Sequence, residues 1–431
     1  MKRIFIFIAF ILPLCALAQQ SITLKDAIDL ALKNNFDIQI AKNYAEIDKI
    51  SNTYGVAGGL PSINASAGDN QTFTNIHQEL SGGTVTDISN ASGNNITAGV
   101  NATMPLFNGF KILATKERLN LLQKQSELEL NQQIQNTIAT VMLKYYDIVR
   151  QISYLKVIQN SFSVSQKRME IITQKKNVGM ANDADMMQAQ IDLNNAEQTI
   201  KSQQIIIDQA KTDLLQILSV KQYYPFEVKD TIIIDKTLQL DSITRNLTEN
   251  KLYQSFEQQI KINEQIVKEI AALRYPSIKL TTGYNYISNK NDAGLTLLNQ
   301  AYGPSVGVTL QIPLYNGNAF KIQRDIAKYN VSNAQLQKEN IFNLYSANAI
   351  KTFQSYSNTL QQLLAQQANY ELSGKLLSLL LQKFQVSQTT ILDLKAGQAS
   401  FENAGYLLIN LQYSAKVSEI ELKRLTYRLS Y

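Results

Sequence analysis

"MPLFNGFKI", Met104 to Ile112, returns far downstream as "IPLYNGNAFKI", Ile312 to Ile322. Before the first copy, Ile96, Ala98, Val100, Ala102 and Met104 alternate with Thr97, Gly99, Asn101 and Thr103. Before the second, Val306, Val308, Leu310 and Ile312 alternate with Ser305, Gly307, Thr309 and Gln311. A period of two with one apolar face reads as a half-buried strand. After each copy the period changes. Ile138, Val141, Tyr145, Ile148, Ile152, Leu155, Phe162 and Met169 recur at helical spacing, and Phe342, Ala349, Tyr356, Leu363, Tyr370, Leu377 and Phe384 recur every seven residues. Sustained heptads imply long helices packed as in coiled coils. The motif is therefore a junction, where Pro105 or Pro313 stops strand pairing and Asn-Gly opens a helix. The second copy reads as carrying two extra residues, Asn318 and Ala319. No proline lies between Pro105 and Pro225 or after Pro313, so a helix from Asn108 to Lys175 could run unbroken for about 100 Å.

Other landmarks repeat in the same order. Leu60-Pro61-Ser62-Ile63 returns as Tyr275-Pro276-Ser277-Ile278, and Val178-Gly179 with Asp185 returns as Val386-Ser387 with Asp393. Pro105 and Pro313 stand 208 positions apart, as do Asp185 and Asp393. Ordered self-similarity at a fixed offset predicts two structural repeats. The first, residues 19–220, reads as a helix at 22–57, strands near 60–69 and 95–105, and long helices near 108–176 and 183–219. A connecting region at 221–247 contains the apolar run Thr231-Ile232-Ile233-Ile234, read as a short strand or helix. The second repeat, residues 248–431, reads as a helix at 248–273, strands near 276–288 and 303–313, and long helices near 318–385 and 390–428. The polar links Asp69–Asn95 and Ser288–Ala301 read as exposed loops.

Composition narrows the class. Hydrophobic residues make up 45% and charged ones 18%, with a net charge of +6 that is scattered rather than clustered. This gives no electrostatic footprint for nucleic acid. Lys2 and Arg3 precede an apolar run to Ala18, ending in Ala16-Leu17-Ala18, which reads as a secretory signal at residues 1–18. The only cysteine, Cys15, lies within it, and Leu14 is not the small residue that lipidation at Cys15 would require. The mature chain is then expected to have neither a disulfide nor a thiolate metal site. No apolar run reaches the roughly 20 residues of a spanning helix, so any crossing is made by strands. Four strands cannot close a barrel in lipid, and several protomers must pool them. The only histidine, His77, falls in an expected loop. Glu117, Glu127 and Glu129 are spaced as solvated helix faces, and no nucleophile-elbow, metalloprotease or phosphate-loop motif occurs. The expectation is no catalytic residue, no metal and no cofactor: a protein that is not an enzyme.

"ITLKDAIDLALKNNFDIQIA", the paired "LPSI" and "YPSI", the paired "PLFNG" and "PLYNG", and "NVGMANDADMMQAQIDLNNAEQ" together resemble the TolC-like outer membrane efflux proteins, or outer membrane factors. The resemblance covers essentially the whole mature chain. It implies a mixed α/β membrane protein and a homotrimer. Each chain would give four transmembrane strands to a shared 12-stranded barrel and very long coiled-coil-packed helices to a periplasmic tunnel. It also implies a place in the cell outer membrane and the role of exit duct for small molecules. A periplasmic adaptor protein and an inner-membrane transporter would be its partners. The alternative within the family is the outer-membrane component of a type I protein secretion system; a secreted coiled-coil structural protein is the reading outside it. Carried onto this chain, the resemblance places Asp185 and Asp393 at the channel constriction, although a carboxylate complementing a helix N-terminus accounts for both positions too. It places Val178, Gly179, Met180, Val386 and Ser387 in contact with the adaptor, where turn chemistry alone would also account for them. Thr389, Thr390 and Phe384 stand where the family carries an arginine and a tyrosine, which implies a different closing network.

Overall fold

In both repeats the Asn-Gly motif stands where strand gives way to helix. The computed structural model describes residues 20–292 and 296–429, so the expected signal sequence lies outside the described residues. Strand β3 (Val85–Asn108) ends on the first motif and α3 (Lys111–Asn177) follows; β6 (Leu298–Gln311) ends before the second and α7 (Ala319–Gln385) follows. Pairing stops short of Pro313 but, against expectation, not at Pro105: a bulge there passes the missing N–H, with Pro105 facing Lys279 and Phe107 facing Ile278, and pairing runs on to Asn108. Each junction turns through two successive left-handed residues, Gly109-Phe110 with φ +67° and +69° and Gly317-Asn318 with φ +65° and +64°. Asn318 is thus the positional equivalent of Phe110, and the two apparent extra residues are no insertion: the 208-residue offset runs on into the helices. Asn108 Oδ1 accepts from the Ile112 N–H at 3.3 Å, tying the first junction to its helix.

Residues 41–130 and 251–343 form one compact unit. It contains an antiparallel sheet in the order β2 (Ser62–Glu79), β3, β5 (Ser277–Asn291), β6. The two hairpins share one register: Ser62 pairs with Thr103 and, 215 and 208 positions on, Ser277 pairs with Gln311. The central pairing joins the repeats, with Gly99 opposite Asn285 and Asn101 opposite Gly283. β2 and β6 each pair with a single neighbour. Most of the link expected as a loop at Asp69–Asn95 is strand, turning only at Leu80–Thr84. The β2 half is exposed almost throughout, and in the β3 half only Ala91 is buried; a ribbon without a continuous buried face needs no apolar alternation, so its pairing left no periodic trace. In the second repeat strand likewise extends to Asn291 and resumes at Leu298.

Of the described residues, 20–40, 131–250 and 344–429 make up the second unit. The expected first helix is broken at Asn35 into α1 (Leu24–Asn34) and α2 (Phe36–Ser51). Asn35 Oδ1 accepts from the N–H groups of Asp37 and Ile38 while its Nδ2 donates to the Ile217 carbonyl. A short parallel pair, β1 (Gln20–Ser21) with β4 (Phe226–Glu227), lies beside a core that includes Ile28, Val141, Tyr145, Leu214 and Ile420. Two helices, α5 (Leu240–Arg245) and α6 (Lys251–Ala272), follow along the chain, α6 standing where a helix at 248–273 is expected. The Thr231–Ile234 run is neither strand nor helix. Side chains of α8 (Ile391–Leu425) hold it and the residue after it instead: Lys416 donates to the Ile233 carbonyl at 2.8 Å, and the Asp235 N–H donates to Glu419 at 3.0 Å. Glu419, 2% exposed, also receives Lys416 and Lys423, which balances its buried charge. Among the described residues no helix is long and apolar enough to cross a membrane.

The long helices α3 (Lys111–Asn177) and α7 (Ala319–Gln385) have 67 residues each, and their returning partners α4 (Asp183–Ile217) and α8 have 35 each. Beyond Leu155 the buried stripe of α3 departs from the apolar spacing. Val157, Ser161, Ser165, Arg168 and Ile172 are buried, whereas Phe162 and Met169 are half-buried. Polar residues on the packed face hid its true phase.

Candidate channel tips

The two helical hairpins end in turns with the same hydrogen bonding. In the first, Met180 N–H donates to Lys175 O at 2.7 Å and Gly179 N–H to Lys176 O at 2.9 Å; in the second, Gln388 N–H donates to Lys383 O at 2.8 Å and Ser387 N–H to Phe384 O at 3.2 Å. Each is a Schellman ending whose left-handed residue is Gly179 (φ +77°) or Ser387 (φ +60°). Three residues beyond each left-handed position, Asn182 and Thr390 cap the returning helices. Asp185 and Asp393 complete the capping boxes, each accepting from its cap residue's N–H. Asp393 Oδ2 also accepts the hydroxyls of Thr389 and Thr390. These bonds, led by the Thr390 hydroxyl, hold the Asp393 carboxyl below the usual range.

The expected adaptor residues Val178, Met180 and Val386 are 70%, 66% and 61% exposed, leaving an apolar rim at the turns. Phe384 is not part of that rim. It is buried against Leu377, Leu394 and Phe401, and Lys175 sits 4.4 Å from its ring centre while donating to its carbonyl. Lys176 pairs with Asp183 across the first turn at 2.5 Å.

Sequence reasoning missed one group behind the tips. Arg168 of α3 is 1% exposed and donates to Asp192 of α4 at 2.9 Å, and Lys395 of α8 reaches the same carboxylate at 3.1 Å. Gln398 donates to the hydroxyls of Ser161 and Ser165, and Ser161 also bonds Glu402. Three helices thus converge on one polar cluster lining a cavity of about 240 Å³. A signal existed, since Ser161, Ser165, Arg168 and Ile172 recur at helical spacing, but it requires counting an arginine as a core residue, a type almost never fully buried unless paired. His77 lies on exposed strand β2, bonded to Asp87 of β3. Among the described residues no group of three or more His, Cys, Asp or Glu could hold a metal.

The protein family described as outer membrane efflux protein matches residues 27–220 and 244–426, covering both repeats. Outer membrane protein TolC of Vibrio cholerae is 22% identical over 270 residues, which is 60% of this chain and 57% of that protein, so the match spans a little over half the relative's length. Among solved structures, CusC superposes with a TM-score of 0.75 at 16% identity, covering 95% of this chain and 92% of that one. The Campylobacter jejuni CmeC outer membrane channel gives 0.73 at 17% identity, covering 94% and 85%. At such identities the likeness establishes the fold. Matched over both repeats and folded like these channels, the chain belongs to the outer membrane efflux protein family.

Proposed function

We propose that this chain is the exit duct of a tripartite efflux system, passing on small molecules that an inner-membrane pump and a periplasmic adaptor deliver. The observation that carries the proposal is the sheet with two open edges, β2 and β6. An unpaired edge in hydrocarbon leaves backbone groups without partners, each costing several kcal/mol. Three chains that pool their strands remove every edge and close a barrel of 12, with the long helices forming the tunnel wall.

At the tunnel's end, Asp185 and Asp393 from three copies form a ring of six carboxylates that favours cations. Capping does not compete with this role, since one exposed carboxylate can both close a helix cap and face a channel. Val178, Gly179, Met180, Val386 and Ser387 form the adaptor's seat, where small and apolar turn residues let another helical hairpin approach. Protein extracted from outer membranes should have the mass of three chains and conduct in planar bilayers. Asp185→Asn with Asp393→Asn should lower its cation preference several-fold. A monomer that does not conduct overturns the duct; unchanged selectivity overturns the aspartate ring alone.

A further inference from the structure

The central seam of the sheet is built as a set of interlocking sockets. On its polar face, Asn101 and Asn285 exchange amide hydrogen bonds at 3.1 and 3.4 Å. Each asparagine lies over a glycine of the facing strand: a Cβ at Gly99 would overlap the Asn285 amide, and one at Gly283 would lie 2.7 Å from the Val100 carbonyl and overlap the Asn101 amide. Just below, a Cβ at Gly109 would lie 2.5 Å from the Ala272 carbonyl and 2.7 Å from the Tyr275 Cβ, both in the segment leading into β5. Gly99 and Gly283 are glycines because the opposing strand occupies their side-chain space, whereas Gly109 is also required by its left-handed backbone, φ +67°.

The repeat writes the same sockets again at the free edges. β6 is the equivalent of β3 at an offset of 208, and β2 the equivalent of β5 at 215, as the matched hairpin registers require. Gly307 therefore stands for Gly99, Gly317 for Gly109, Asn70 for Asn285, Gly68 for Gly283 and Leu60 for Tyr275. Within this chain nothing lies within 4 Å of a Cβ at Gly307 or Gly317. Beside Gly317 opens a cavity of about 410 Å³ lined by Leu314, Tyr315 and Phe320, with Leu314 92% and Tyr315 82% exposed.

We propose that Gly307 and Gly317 are empty halves of sockets filled by a second copy of this chain, with Asn70 of that copy seated over Gly307 and its Leu60 against Gly317. The register between copies follows: Gly307 opposite Asn70, Val308 opposite Asp69 and Thr309 opposite Gly68, the equivalents of pairs seen at the β3–β5 seam. The inference rests on the pooled barrel proposed above and adds to it a residue-level seam.

Because Cys15 is the chain's only cysteine, engineered pairs report cleanly. Directly opposed strand residues fall within disulfide reach, whereas a slip of two residues takes them out of it. Asp69→Cys/Val308→Cys, Ala67→Cys/Val308→Cys and Gln71→Cys/Val308→Cys are each made in the full chain and treated in native outer membranes with a mild oxidant. The 69/308 pair should give at least tenfold more covalent oligomer than either slipped pair. Separately, Gly307→Val should lower the oligomer fraction and Asn70→Gly in the same chain should restore it. A slipped pair that links best, or a failed rescue, overturns the register while the extracted three-chain mass keeps the duct. No link from any pair in an intact three-chain assembly overturns the seam itself, and an extracted monomer overturns seam and duct together.

Discussion

Ser387 occupies a backbone conformation that its repeat equivalent reserves for glycine: φ is +60° at Ser387 and +77° at Gly179. A left-handed residue with a Cβ costs about 1–2 kcal/mol over glycine, and both turns make the same pair of capping hydrogen bonds. Ser387→Gly should therefore slow local opening of the second tip, read as stronger amide-exchange protection at Gln388 and Ser387, while Gly179→Ser should weaken the first tip by a similar factor. Equal protection in both variants would mean that the turns are held by contacts other than their own backbone. At this scale the tip sites were partly legible. Asp185 and Asp393 stood out by their common offset, and the structure adds that each closes a capping box. Arg168 was illegible because its burial depends on Asp192 and Lys395, which arrive from two other helices.

Among elements, the sheet divides into a part with three-strand support and a part without. β5 follows β3 only as far as the Gly93–Asn291 pair, while β2 and β3 continue to the Glu79–Val85 pair. A two-stranded ribbon is marginal in water, so amides from Phe73 to Ala91 should exchange at least 100-fold faster than those from Ile63 to Gly68. Uniform exchange along the hairpin would show that the distal ribbon has support from elsewhere. The same division explains what the sequence could tell. Near the junctions one face is apolar, and Val100, Met104 and Leu280 marked strands by their alternation. Above Asp69 both faces are mostly polar, so the ribbon looked like a loop. The helices were legible as helices from their uninterrupted length. The core phase of α3 was not, because Ser161 and Ser165 lie on its buried face.

For the molecule as a whole, the match of helix lengths, 67 with 67 and 35 with 35 residues, keeps the Arg168–Asp192–Lys395 cluster in step between hairpins. Removing one heptad from each leg of the first hairpin alone, midway between the Arg168–Asp192 bond and the core around Val141 and Leu214, withdraws its tip by about 10 Å. That should abolish the salt bridge to Lys395, seen as lost exchange protection around Asp192. Removing the equivalent heptads from the second hairpin as well should restore it. Failure of the paired deletion would show that the hairpins do not set each other's length.

That equality of lengths also bears on descent. A single insertion in one helix would misalign a bond network shared by both hairpins, so length changes in such a chain can persist only when copied into all the legs at once. Related chains should then differ in hairpin length by whole heptads gained or lost in both repeats together, and the 208-residue offset would change with them as a heritable measure of how far the duct reaches.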